Sequence, residues 1–89
     1  MSFELRFSQS FKDDVLSLSN PNPKFKQMLE KALPLIKNNP YYKAEFIEQA
    51  GYWRRHIIAE KYRILYDIDE NKKIVILQRI KLKNKSTYK

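Results

Sequence analysis

Arg54, His56 and Arg63 are the side chains of this chain best suited to do chemistry. They sit in two short segments, Tyr52-Trp53-Arg54-Arg55-His56 and Tyr62-Arg63-Ile64-Leu65-Tyr66, separated by a very short break. Read at the two-residue period of a β-strand, the segments form a hairpin that presents Arg54 and His56 on one face and returns Arg63 beside them. Clustered cations without carboxylate partners require an anion. Two or three of them focused in a groove can hold a phosphate and stabilise the charge that a phosphoryl transition state adds. His56 is the single histidine, titrates near neutrality, and is suited to move a proton from a ribose hydroxyl. The same residues admit plainer readings. Charged outer faces of sheets are ordinary, and a lone histidine with no carboxylate at an obvious spacing to orient it is more often a polar surface residue.

The charge of the whole chain points the same way. Its 89 residues carry 18 Lys and Arg against 10 Asp and Glu, a net charge of +8, and the excess is uneven. Residues 1–51 hold seven basic and six acidic side chains, whereas residues 52–89 hold eleven and four. The basic field therefore belongs to the second half, where it favours phosphate-rich or acidic partners: nucleic acid, an acidic protein or an anionic membrane surface. There is no cysteine, so a disulfide frame, a thiolate nucleophile and a thiolate zinc site are excluded, and one histidine cannot build a histidine metal centre. No metal or cofactor is expected. No apolar run approaches a membrane span or the core of a signal peptide, so a cytoplasmic address is the default expectation.

The elements that must position these cations follow from periodicity. Phe3, Leu5 and Phe7 alternate with Glu4 and Arg6 as a strand with one buried face. Phe11, Val15 and Leu18 fall at helical spacing, with Ser8 or Ser10 able to cap the first turn and Asp13 and Asp14 suited to its positive end. Asn20-Pro21-Asn22-Pro23 ends that helix. Phe25, Met28, Leu29, Ala32, Leu33 and Ile36 form the stripe of a second helix, bent near Pro34 and stopped by Asn38-Asn39-Pro40. Tyr41 to Gly51 reads as a connection with one loose turn around Phe46. Trp53 and Ile57, then Tyr62, Ile64, Tyr66 and Ile68, face the helices; Asp69 to Lys72 turns the chain; and Ile74 to Leu82 returns as a strand apolar on both faces, which suits a central position. These elements specify one domain over residues 1–89 of the α+β class. It has an N-terminal strand, a two-helix hairpin and a three-stranded antiparallel meander forming one sheet with the helices on one face. Arg79 and Lys81 then join Arg54, His56 and Arg63 on the opposite face, with Lys83 continuing their parity. Tyr88 is a penultimate aromatic in a basic tail, suited either to stacking on an RNA base or to docking the tail on the domain.

The combination of Gly51-Tyr52-Trp53-Arg54-Arg55-His56, Tyr62-Arg63-Ile64-Leu65-Tyr66-Asp67-Ile68-Asp69 and the ending Lys85-Ser86-Thr87-Tyr88 resembles the RelE/ParE superfamily of toxins over nearly the whole chain. The resemblance implies the toxin of a type II toxin-antitoxin pair. In its RelE branch, such proteins enter the ribosomal A site and cleave mRNA without a metal, using the adjacent 2'-hydroxyl to attack the phosphate. Carried over by motif, Arg54 and His56 surround that hydroxyl, with His56 the better base, Arg63 braces the phosphate, and Tyr88 orients a base of the codon. Arg79, Lys81 and Arg55 are the further RNA contacts expected. The family's late arginine, which protonates the leaving oxygen, aligns with Asn84, which cannot supply a proton; Lys83 or Lys85 is left to replace it. Two other activities fit the same resemblance: the ParE branch inhibits DNA gyrase, and a catalytically weak relative would keep antitoxin binding alone. In each case the implied partner is a small antitoxin whose acidic or apolar segment covers the cations; the nuclease adds the ribosome and its mRNA, and no membrane is involved.

Overall fold

The alternation at the N-terminus and the helical stripes after it produce the expected elements in a computed structural model of the chain. It describes residues 2–20, 22–49, 51–57 and 61–82, with only the backbone at 56 and 57. Strand β1 (Glu4–Phe7) runs into Ser8, whose Oγ accepts a hydrogen bond from the Phe11 N–H at 3.1 Å and so caps α1 (Gln9–Ser19). That helix buries Phe11 and packs Val15 and Leu18 against the core. Helix α2 (Phe25–Asn38) buries Phe25, Leu29, Ala32 and Ile36, the stripe its spacing predicts. Pro34 lies on its exposed side, and the helix continues past it to Asn38.

Four further strands, β2 (Glu45–Ile47), β3 (Tyr52–Ile57), β4 (Tyr62–Asp69) and β5 (Ile74–Leu82), join β1 in one sheet of order β1-β5-β4-β3-β2. β1 pairs parallel to β5, and the other pairs are antiparallel. The α+β class and the meander are as expected, and β5 has neighbours on both sides, as its doubly apolar sequence implies. The sheet has one strand more than expected. Residues 45–47, read from sequence as part of a connection, pair with β3, placing Phe46 opposite Trp53 with ring centroids 5.4 Å apart. Three residues are too few for alternation to announce a strand.

The helices cover one sheet face. Tyr62, Ile64 and Tyr66 of β4 and Val75, Leu77 and Ile80 of β5 are buried there, with the Phe25 and Tyr62 rings edge-on at 4.9 Å. Each such large apolar side chain contributes about 1.5–3 kcal/mol by leaving water. The Tyr66 hydroxyl donates to the Pro40 carbonyl at 2.6 Å, and burial pushes its pKa up to about 12 despite the opposing charge of Arg55, so it remains a donor at neutral pH.

Strict alternation would put Arg79 and Lys81 on the same side as buried Val75 and Leu77. A bulge prevents this: Leu65 pairs with Arg79 but Tyr66 with Leu77, so Gln78 is an extra residue and the parity of β5 reverses there. Ile80 is thereby buried while Arg79 and Lys81 turn to the other face. Ser8 secures the bulge, its hydroxyl donating to the Gln78 carbonyl at 2.9 Å and its N–H to the Leu77 carbonyl at 3.0 Å.

Beyond Leu77, β1 no longer lines β5, and α1 takes over that edge. Asp14 Oδ2 accepts the Ile80 N–H at 3.1 Å and Arg79 Nε at 2.7 Å, and its Oδ1 accepts Arg79 Nη2 at 3.1 Å. The sequence suggested a helix-dipole role for Asp13 and Asp14. The first turn of α1 carries no acidic residue, and Asp14 instead satisfies an open strand edge. Desolvation by burial raises the pKa of this carboxyl, but hydrogen bonds from Arg79 and Ile80 and the charges of Arg79 and Lys81 outweigh it and hold the pKa below 3.8. A depressed folded-state value means that the stability from Asp14 is present above the unfolded value and is lost as pH falls through the folded one. Asp14→Asn is expected to unfold more readily than wild type at pH 7, by about 1–2 kcal/mol, with the difference shrinking in urea melts as pH falls below the ordinary aspartate range. A pH-independent difference would contradict this assignment.

Candidate nucleic-acid interface

The register of the three meander strands builds the cationic face. Arg54 pairs with Leu65 and His56 with Arg63 across β3 and β4; Arg63 pairs with Lys81 and Leu65 with Arg79 across β4 and β5. Directly opposed residues on antiparallel strands lie about 4.5–5.5 Å apart at Cα and share a face. Positions 54, 56, 63, 79 and 81 therefore occupy one patch of the face opposite the helices, as the sequence reading expected. Lys81 is exposed, and Arg63, Arg54 and Arg79 are partly buried. For His56 the placement is that of its backbone position in the register.

Two of these cations have carboxylate partners that the sequence reading did not supply. Arg54 Nη2 lies 2.6 Å from Glu45 Oε1, because β2 brings Glu45 directly opposite Arg54. Arg79 is held by Asp14 from α1. The premise of unpaired cations is thus corrected. Neither pairing was visible without the fold, since one partner comes from an unread strand and the other from a helix 65 residues away. The two pairs differ in character. Glu45 makes one contact and is 66% exposed, so an incoming phosphate can displace it at small cost, whereas Asp14 is 16% exposed and bonded three times.

Arg55 does not belong to this face. It was expected to touch RNA, but β3 alternation turns it with Trp53 toward the helix side, where it is 7% exposed. Its Nη1 donates to the Asn39 carbonyl at 3.3 Å, and its guanidinium stands 5.8 Å from the Tyr42 ring. The physical reason is the period of two: Arg54 and Arg55 cannot both face outward. The expected tail residues Lys83, Asn84, Lys85 and Tyr88 lie outside the described residues. Among the described residues no cluster of three or more His, Asp or Glu side chains is arranged to hold a metal, and no helix is long and apolar enough to cross a membrane.

The fold and sequence find counterparts among known proteins. Residues 5–82 match the model of the ParE toxin of the type II toxin-antitoxin system parDE. The RelBE2 toxin-antitoxin complex of Mycobacterium tuberculosis contains a chain that superposes with a TM-score of 0.77 at 22% identity, covering 93% of this chain and 100% of that one. A chain of the archaeal RelE-RelB complex of Pyrococcus horikoshii superposes with a TM-score of 0.68 at 16% identity, covering 96% of this chain and 99% of the other. No curated protein sequence matches.

The contrast between neighbouring arginines is measurable. Arg55→Ala leaves the Asn39 carbonyl without its donor and a void beside Tyr66, and is expected to cost about 2–3 kcal/mol in chemical denaturation. Arg54→Ala removes an exposed pair and is expected to cost under about 1 kcal/mol. Equal losses would show that the strand is turned differently.

Proposed function

The chain belongs to the ParE toxin family of type II toxin-antitoxin systems, within the RelE/ParE superfamily, and from its cationic face we propose that it arrests translation as a ribosome-dependent, metal-independent mRNA endoribonuclease. The observation that carries this reading is the register that gathers Arg54, His56 and Arg63 on one face, with Lys81 and Arg79 continuing it. A gyrase inhibitor has no need of a histidine at that register position. In the proposed reaction, His56 takes the proton of the 2'-hydroxyl with Arg54 beside it. The freed oxygen attacks the adjacent phosphorus, and Arg63 stabilises the extra negative charge there. The bond to the 5'-oxygen then breaks, and Lys83 or Lys85 supplies the proton that this leaving group requires, since Asn84 cannot. Tyr88 stacks on a codon base, and Arg79 and Lys81 hold the backbone on either side of the cut. Arg55, being buried, takes no part.

The partner proposed for the resting state is a small antitoxin. The similar solved chains come from toxin-antitoxin complexes, and the excess of positive charge in residues 52–89 suits an acidic segment laid over the face. Gyrase inhibition is the second reading, favoured by two observations: the matching family model is that of ParE, and Asn84 stands where the nuclease pattern has arginine. On that reading the cationic face is only a contact surface.

Expression of the chain alone is expected to stop bacterial growth, and Arg63→Ala to restore it by lowering activity at least about a hundredfold, the scale of a lost transition-state contact. The variant's melting temperature should stay within a few degrees of wild type. Undiminished toxicity from a folded Arg63→Ala would sink the nuclease assignment.

A further inference from the structure

Arg79 is half committed. Its Nε and Nη2 grip the two oxygens of Asp14 side-on, at 2.7 and 3.1 Å, while no described residue meets its Nη1, and the side chain is 40% exposed. A guanidinium has five N–H donors in a fixed plane, so this grip fixes the plane without using the donors on Nη1. Asp14 cannot easily swing aside. It is mostly buried, it sits mid-helix on α1, and its Oδ2 also receives the Ile80 N–H at 3.1 Å. The fork is thus tied to the strand that carries it and to the helix beside that strand. Arg79 projects from the same face as Arg63 and Lys81, one step along β5 from Lys81, about 7 Å away at Cα. Glu45 offers Arg54 nothing comparable, since it makes one bond and stands largely in solvent.

We propose that Asp14 is a positioning residue for RNA: it holds Arg79 as a preformed fork whose outward donors take the phosphate next to the one gripped at Arg63. This rests on the nuclease reading above. A free arginine would lose several rotamers on meeting a phosphate, and this one has already lost them in the fold. The negative charge of Asp14 does not cancel the gain, because the side-on carboxylate and the end-on phosphate occupy different edges of the guanidinium. Asp14 therefore acts on substrate binding and not on bond breaking.

A helix-to-sheet staple without any RNA role would show the same contacts, and kinetics separate the two. Purified wild type, Asp14→Asn, Arg79→Lys and the double variant are supplied to ribosomes stalled on a defined mRNA, well below their melting temperatures, and cleavage rates are measured against ribosome concentration. Asparagine keeps an acceptor for the Ile80 N–H, and lysine keeps the charge without the fork. Each single variant is expected to raise KM about five- to tenfold with kcat within about twofold, and the double variant to add nothing further, because Asp14 acts through Arg79. An unchanged KM in folded Asp14→Asn, or effects that multiply in the double variant, overturns the proposal. If Asp14→Asn does not fold, Asp14→Glu, which keeps the charge but displaces the grip, takes its place: an unchanged KM overturns the proposal and a KM raised as far as in Arg79→Lys supports it. Wild type that binds ribosomes but leaves the mRNA uncut overturns the nuclease reading, and this inference with it, which is distinct from a cutting enzyme indifferent to Asp14.

Discussion

Strand β4 lies between β3 and β5, and its alternation sends Tyr62, Ile64 and Tyr66 into the core and Arg63 and Leu65 to the opposite face. A slip of one residue against either neighbour would bury Arg63 and expose Ile64, so the hydrophobic requirement of the core is what fixes the cations. On the β3 side the pairing aligns Arg54 and His56 with β4 directly. On the β5 side it needs the extra residue Gln78. Without that bulge, either Leu77 or Ile80 would leave the core, or Arg79 and Lys81 would enter it. Ser8 couples this adjustment to the start of α1, since one hydroxyl both caps the helix and meets the Gln78 carbonyl.

The cationic face is not a bare cluster of charge. Arg54 and Arg79 each answer a carboxylate from outside the meander, and the carboxylates are held with different firmness. A dense patch of unopposed charge would repel itself and depress stability, while partial pairing keeps the arginines ordered and still electropositive toward a polyanion. In the proposed RNA-binding role, loosely held Glu45 would give way and firmly held Asp14 would set direction. Both outcomes follow from burial and the number of hydrogen bonds, not from sequence spacing.

Much of the fold was legible because its signals are local. The stripe from Phe25 to Ile36, the alternation of Tyr62, Ile64 and Tyr66, and the doubly apolar strand from Ile74 each declare their period over enough residues to be read. What escaped was short or long-range. β2 spans three residues, and the Gln78 bulge is invisible to a parity count. Glu45 and Asp14 meet their arginines only through tertiary pairing. Arg55 is a different case: its charge groups it with Arg54, whereas the strand period turns one of two adjacent residues inward, and Arg55 is the buried one.

The proposed activity of the face that carries Arg54, His56 and Arg63 is the cutting of mRNA in the ribosome. It is tested most directly by adding the purified chain to translating ribosomes and mapping the new 5' ends of the message at nucleotide resolution. Cuts confined to codons in the A site, appearing in the presence of a metal chelator that leaves the ribosomes intact and absent without ribosomes, are the expected result. Intact message at protein concentrations that block gyrase supercoiling would contradict it and assign the face to contact alone.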